Sequence, residues 1–112
     1  MSVGTRFRPD YDNRTLTVGD RTVPCRVLEN RDAIDWPVRR ARVEIGEFEF
    51  SIVWGAGTYS DNYDAGNGAP FEDQPFTVEV MTMRGNVGDD AAEPRGWQSV
   101  TDVLALLDKA TP

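Results

Sequence analysis

The chain has 112 residues and carries 12 Lys plus Arg against 19 Asp plus Glu, a formal charge of −7 without a single histidine. One hydrophobic core fits that length, and the acid excess argues against general binding to a nucleic-acid backbone, whose affinity rests on cations that neutralise phosphates. The missing imidazole removes Ser-His-Asp and Cys-His nucleophilic chemistry and His-containing zinc sites, and the lone Cys25 can form neither an internal disulfide nor a four-cysteine metal cage.

At 39% hydrophobic and 28% charged, the composition is that of a soluble folded domain. The opening MSVGTRFRPD holds no apolar run of the kind a signal peptide needs, and no stretch approaches the roughly 20 apolar residues of a membrane span. The expectation is a single domain over residues 1–112, cytoplasmic, with no membrane contact. Charge is uneven along the chain. Residues 1–44 hold nine Arg against seven acids, whereas residues 45–112 hold three bases against twelve acids, and Lys109 is the only lysine. Arg-rich strands facing acidic loops suit pairing within the fold.

In chain order, the first expected element is a hairpin over residues 14–28, with Gly19-Asp20 as a two-residue turn that sets Leu16 across from Val23. Pro24 has no N–H to give to a ladder, so its strand belongs at a sheet edge or bends there. Residues 30–37 read as a connection with one helical turn capped by Asn30 or Asp32, from which Ile34 and Trp36 reach the core.

The clearest signal is ARVEIGEFEFSIVW, residues 41–54. Apolar Ala41, Val43 and Ile45, then Phe48, Phe50, Ile52 and Trp54, alternate with mostly polar neighbours on either side of Gly46-Glu47. A type II′ turn with Gly46 at its first central position pairs Ile45 with Phe48, Val43 with Phe50 and Ala41 with Ile52, which puts every one of these residues on one face. The same register sets Glu44 against Glu49, with Arg42 on the diagonal to offset the repulsion.

Residues 55–75, GAGTYSDNYDAGNGAPFEDQP, hold too many Gly, Pro, Asn and Asp for regular structure, and a connection of that length is usually functional. A further strand is expected over 76–84, with Phe76, Val78 and Val80 on one face and Glu79, Met81 and Met83 on the other, central or facing a partner. Residues 85–96, acidic around Asp89, Asp90 and Glu93, read as a solvated linker. The chain closes on a helix with Ser99 as N-cap and Asp102 as its reciprocal partner, carrying an apolar stripe of Val100, Val103, Leu104 and Leu107 and a dipole-compatible Lys109. That stripe is expected to lie across Phe48, Phe50 and Ile52. The fold class is therefore α+β, an antiparallel sheet of about five strands with one C-terminal helix packed on it.

The candidate partner-binding residues are Trp54, Tyr59, Asp61, Asn62, Tyr63 and Asp64. Tyr set among Ser, Gly and Asn is the chemistry of adaptable recognition loops, because Tyr offers a large contact area for little lost entropy. Gly55-Ala56-Gly57 is neither a dinucleotide fingerprint nor a P-loop. An EF-hand starting at Asn62 fails, since Asn67 stands where a Gly is required and Asp73 where a bidentate Glu belongs. Asp61, Asp64 and Asp73 remain able to gather irregularly around a cation, and Asp61, Asp64, Glu72 and Asp73 are the available acid/base carboxylates. No catalytic residue, metal ligand set or cofactor is nominated. Cys25 reads as a structural thiol, and Arg39, Arg40 and Arg42 as cations paired within the fold.

The stretch FEFSIVWGAGTYSDN, together with the small acidic chain, its Arg-over-Lys usage and its short C-terminal helix, resembles small uncharacterised accessory proteins of actinobacterial phages. The resemblance implies a phage-type origin and the task of binding a host or phage protein, and it brings no functional residue with it. The expected function is thus a non-enzymatic protein-interaction module, with mimicry of nucleic acid by the acidic surface as a narrower version. The alternative is a small-ligand or cation-binding domain built on the Gly/Asp loop.

Overall fold

The computed structural model describes residues 5–30, 37–65, 69–85 and 94–111. Among these residues eight strands and one helix follow in order: β1 (Phe7–Asp10), β2 (Thr15–Val18), β3 (Arg21–Pro24), β4 (Val27–Asn30), β5 (Val38–Ile45), β6 (Phe48–Gly55), β7 (Thr77–Arg84), β8 (Arg95–Ser99) and α1 (Val100–Ala110). The strands form two antiparallel sheets, β1-β2-β3 and β4-β5-β6-β7-β8. The α+β class holds, and the expected single sheet is corrected to two.

The central hairpin has the register its alternation dictates, with Ile45 opposite Phe48, Val43 opposite Phe50 and Ala41 opposite Ile52. Gly46 takes φ +59, the left-handed value that the first central position of the turn demands and that a Cβ would oppose. Glu44 does face Glu49, and cations surround the pair: Arg42 lies 3.4 Å and Arg26 3.0 Å from Glu49, while Arg26 also lies 2.8 Å from Glu44. Arg26 and Arg42 thus neutralise acids inside the fold, whereas Arg40, expected to do the same, forms no ion pair with a described residue and buries its Nε without a hydrogen-bond partner.

The earlier hairpin pairs Leu16 with Val23 and leaves Pro24 on the outer strand of its sheet. Pro9 occupies the opposite edge in β1, so both edges of the three-stranded sheet carry a residue that cannot donate to an added strand. After Pro24 the chain passes through Cys25 and Arg26 and changes sheets, which ends the first hairpin short of residue 28. The expected helical turn at 31–36, with Ile34 and Trp36, lies outside the described residues.

Strand β7 is central, between β6 and β8, and buries Val78, Val80 and Thr82. Phe76 precedes the strand and is exposed, with the Arg6 guanidinium 4.0 Å above its ring. The linker expected at 85–96 is corrected at its end, where β8 begins at Arg95; its acidic stretch around Asp89, Asp90 and Glu93 lies outside the described residues. Ser99 caps α1 reciprocally: its Oγ accepts from the Asp102 N–H at 3.2 Å, and its own N–H donates to Asp102 Oδ2 at 2.9 Å.

The helix buries Val100, Val103, Leu106, Leu107 and Ala110, a stripe rotated from the expected one because α1 lies against β2 as well as β8; Leu104 is only partly buried. Its C-terminal end is tied to β3, where Arg21 pairs with Asp108 at 3.3 Å and donates to Thr111 Oγ1 at 2.9 Å. One core joins Phe7, Leu16, Val18 and Val23 of the small sheet, Val43, Phe50, Ile52, Trp54 and Val78 of the large one, and the helix stripe.

Candidate functional site

Strand β6 delivers the chain into the loop over residues 55–75, and short polar side chains bend it there. Thr58 turns back on the strand end, its N–H and Oγ1 both donating to the Gly55 carbonyl at 3.2 and 2.8 Å. Ser60 is fully buried; its hydroxyl bonds the Thr58 hydroxyl at 2.8 Å and accepts the Asn62 N–H at 3.2 Å. Asn62, also buried, forms a two-way clamp with the far arm of the loop: Nδ2 donates to the Glu72 carbonyl at 2.6 Å, and Oδ1 accepts the Glu72 N–H at 2.7 Å. An Asn side chain here copies the backbone pairing that a strand would supply.

The acids of this loop go to separate tasks. The Asp61 carboxylate accepts from the Phe76 N–H at 3.0 Å and the Thr77 N–H at 3.3 Å, and the Asp61 N–H donates to Thr77 Oγ1 at 2.9 Å, which pins the loop to the start of β7. Glu72 pairs with Arg6 at 3.3 Å and accepts the Gln74 N–H at 2.9 Å. Asp73 joins three elements: it accepts from Tyr11 Oη at 2.9 and 3.0 Å and from the indole N–H of buried Trp54 at 3.1 Å, and forms an ion pair with Arg39 at 3.4 Å. The Arg39 guanidinium also covers the Phe71 ring at 4.6 Å. Burial and the neighbouring Asp73 raise the Tyr11 phenol well above its ordinary pKa. Among the described residues no three Cys, Asp or Glu side chains gather in a way that would hold a metal ion. Desolvation pushes the buried Cys25 thiol up to about 11, the opposite of the depression that activates a nucleophilic cysteine.

With these polar groups turned inward, the aromatic rings of the loop face out. Tyr59 and Tyr63 are 54% and 43% exposed, and their rings stack in parallel planes with centroids 6.0 Å apart. Trp97 of β8 extends the group, its ring tilted at 45° and 6.3 Å from Tyr63, with 53% of the residue exposed. A bulge creates this position. Val78 pairs with Gln98 and Val80 with Arg95, so Glu79 alone stands opposite both Gly96 and Trp97.

At the bulge Trp97 takes φ +56, a left-handed conformation disfavoured for a bulky side chain by on the order of 1–2 kcal/mol. The Tyr59 backbone fills the gap: its carbonyl accepts the Trp97 N–H at 2.7 Å, and its N–H donates to Glu79 Oε1 at 3.0 Å. Gly96 is required by that approach, since a Cβ there would collide with the Tyr59 side chain.

The six residues nominated from the sequence therefore divide. Tyr59, Asp61, Tyr63 and Asp64 are on the surface, while Trp54 and Asn62 lie inside and hold the loop from beneath. Asp64 makes no side-chain hydrogen bond or ion pair with any described residue. Trp97 escaped the sequence reading because it sits in a short polar segment, and neither alternation nor turn chemistry marks a left-handed tryptophan.

No family model, curated protein or solved structure matches this chain. Among the described residues no helix is long and apolar enough to cross a membrane.

Proposed function

We propose that the chain is a non-enzymatic protein-interaction module whose contact surface is the Tyr59–Tyr63–Trp97 platform. The observation that carries this reading is the exposure of three adjacent aromatic rings, Tyr59 and Tyr63 on a loop cross-linked by side-chain hydrogen bonds and Trp97 on β8 beside it. Tyr and Trp dominate binding hot spots, and a stiff loop loses little entropy when a partner docks. The left-handed Trp97 adds support, because backbone strain clusters where a side chain must be aimed. The resemblance to phage accessory proteins gives the kind of partner, a host protein that the module binds and modulates.

The test is capture from host extract with the tagged chain and with the Tyr63→Ser/Trp97→Ser variant, followed by calorimetry against the recombinant form of any protein lost from the variant. Binding should weaken by about 2 kcal/mol or more, as expected for aromatic hot spots. A folded variant that binds the same protein with unchanged affinity would refute the reading.

A further inference from the structure

We infer that the platform takes an arginine-bearing segment of its partner, held by guanidinium–aromatic stacking and by the acids beside the rings. This rests on the interaction reading above and adds the chemistry of what is bound. Aromatic faces carry negative electrostatic potential, and guanidinium groups stack on them through both charge and planarity. The chain already does this twice within itself: Arg6 covers the exposed Phe76 ring at 4.0 Å and Arg39 covers Phe71 at 4.6 Å. Among the described residues, no Arg or Lys covers Tyr59, Tyr63 or Trp97.

Charge complementarity points the same way. The loop that carries Tyr59 and Tyr63 sets exposed Asp61 and Asp64 on either side of Tyr63 in the chain. Asp64 follows Tyr63 directly with its carboxylate free of described partners, and Glu79 stands opposite Trp97 at the bulge, where one of its oxygens accepts the Tyr59 N–H. A guanidinium on the rings would thus have an exposed carboxylate one residue away in the chain from Tyr63. A neutral apolar segment would gain the rings and leave Asp64 without a counter-charge. A polyanion would be repelled.

The experiment titrates the isotope-labelled full chain with a short synthetic peptide of alternating arginine and serine, and with two twins in which citrulline or lysine replaces arginine. Citrulline keeps the planar head and loses the charge; lysine keeps the charge and loses the plane. The arginine peptide should shift the Trp97 indole and the Tyr59 and Tyr63 amide resonances saturably. Both twins should bind about tenfold or more weakly. Asp64→Asn should weaken arginine-peptide binding and flatten its salt dependence.

Equal binding of the arginine and citrulline peptides would overturn the cationic partner, as would shifts that spread over acidic residues and spare the three rings. If the arginine peptide fails while the captured protein still depends on Tyr63 and Trp97, the interaction reading stands and this inference falls. If that protein binds the Tyr63→Ser/Trp97→Ser variant normally, both fall.

Discussion

Replacing Asp73 with Ala should be among the most destabilising changes outside the apolar core, although Asp73 is itself only partly buried. Its carboxylate is the acceptor for the Trp54 indole N–H at 3.1 Å and for the Tyr11 hydroxyl, and it forms an ion pair with Arg39. Trp54 is fully buried, so its indole N–H cannot turn to bulk water when the carboxylate is gone. One stranded buried donor costs about 1–3 kcal/mol. Breaking a fully buried ion pair costs about 3–5 kcal/mol, which must be discounted here because the Asp73 side chain keeps 37% exposure and solvent screens the pair.

The sum for Asp73→Ala is about 2–4 kcal/mol, and about 1–2 kcal/mol for Asp73→Asn, which retains an acceptor and loses the charge. Urea titration with a shared slope measures both, and a Tyr11→Phe/Asp73→Ala double-mutant cycle isolates the hydroxyl contact. A loss below about 0.5 kcal/mol for Asp73→Ala would show that the Trp54 indole N–H finds another acceptor, and that the latch between the loop and the two sheets is not a stability element.

Phe50→Ala empties a nearly inaccessible core position and should cost about 3–5 kcal/mol in the same titration; a loss under 1 kcal/mol would contradict the hairpin register. Ser99→Ala removes the reciprocal cap and should lower stability by about 1 kcal/mol, read from the thermal midpoint, with no change expected if α1 frays freely at its start. At Trp97, Gly relieves the left-handed backbone and Ala does not, so Trp97→Gly should be more stable than Trp97→Ala by about 1 kcal/mol although both lose the ring; the reverse order would refute strain at this site. At alkaline pH, the raised folded-state pKa values of Tyr11 and Cys25 mean that the neutral forms favour the native state. Stability is then full below the ordinary thiol and phenol values and falls as pH rises, through about 11 for Cys25 and higher for Tyr11; Tyr11→Phe should flatten the upper part of that fall.

Local chemistry made some of this architecture readable and left other parts silent. The register of β5 with β6 follows from alternation interrupted by one glycine, and the α1 start follows from Ser99 and Asp102, because in each case residue type and backbone requirement coincide. Alternation reports which face a residue takes and says nothing of which strand lies beside it. Val23 and Cys25 are buried and Val27 is partly so, which carries one pattern unbroken across the point where the chain leaves the small sheet for the large one. Two sheets therefore looked like one. Strands β1 and β8 were missed for a related reason: FRPD and RGWQS are polar segments held by backbone pairing and by neighbours far along the chain. At the site, Tyr59 and Tyr63 were legible as a composition, whereas Trp97 joins them only through a bulge that no residue type announces.

The division of labour inside the loop explains why its acids and its aromatic residues were hard to separate by sequence and are easy to separate by geometry. Gly, Ser, Asn and Asp are the composition of a pliable connection, yet Ser60 and Asn62 are buried, and Asp61, Glu72 and Asp73 each accept from a backbone or side-chain donor. Each such bond removes freedom that a partner would otherwise have to remove on docking. The rings take no part in that cross-linking. Of the five large hydrophobic side chains exposed among the described residues, Phe76 is covered by Arg6 and Met83 lies on β7, while in the remaining three Tyr63 joins Tyr59 to Trp97. Within this loop the inner side carries the polar clamps and the surface carries the rings, an inversion of the usual order that supports the recognition role proposed above.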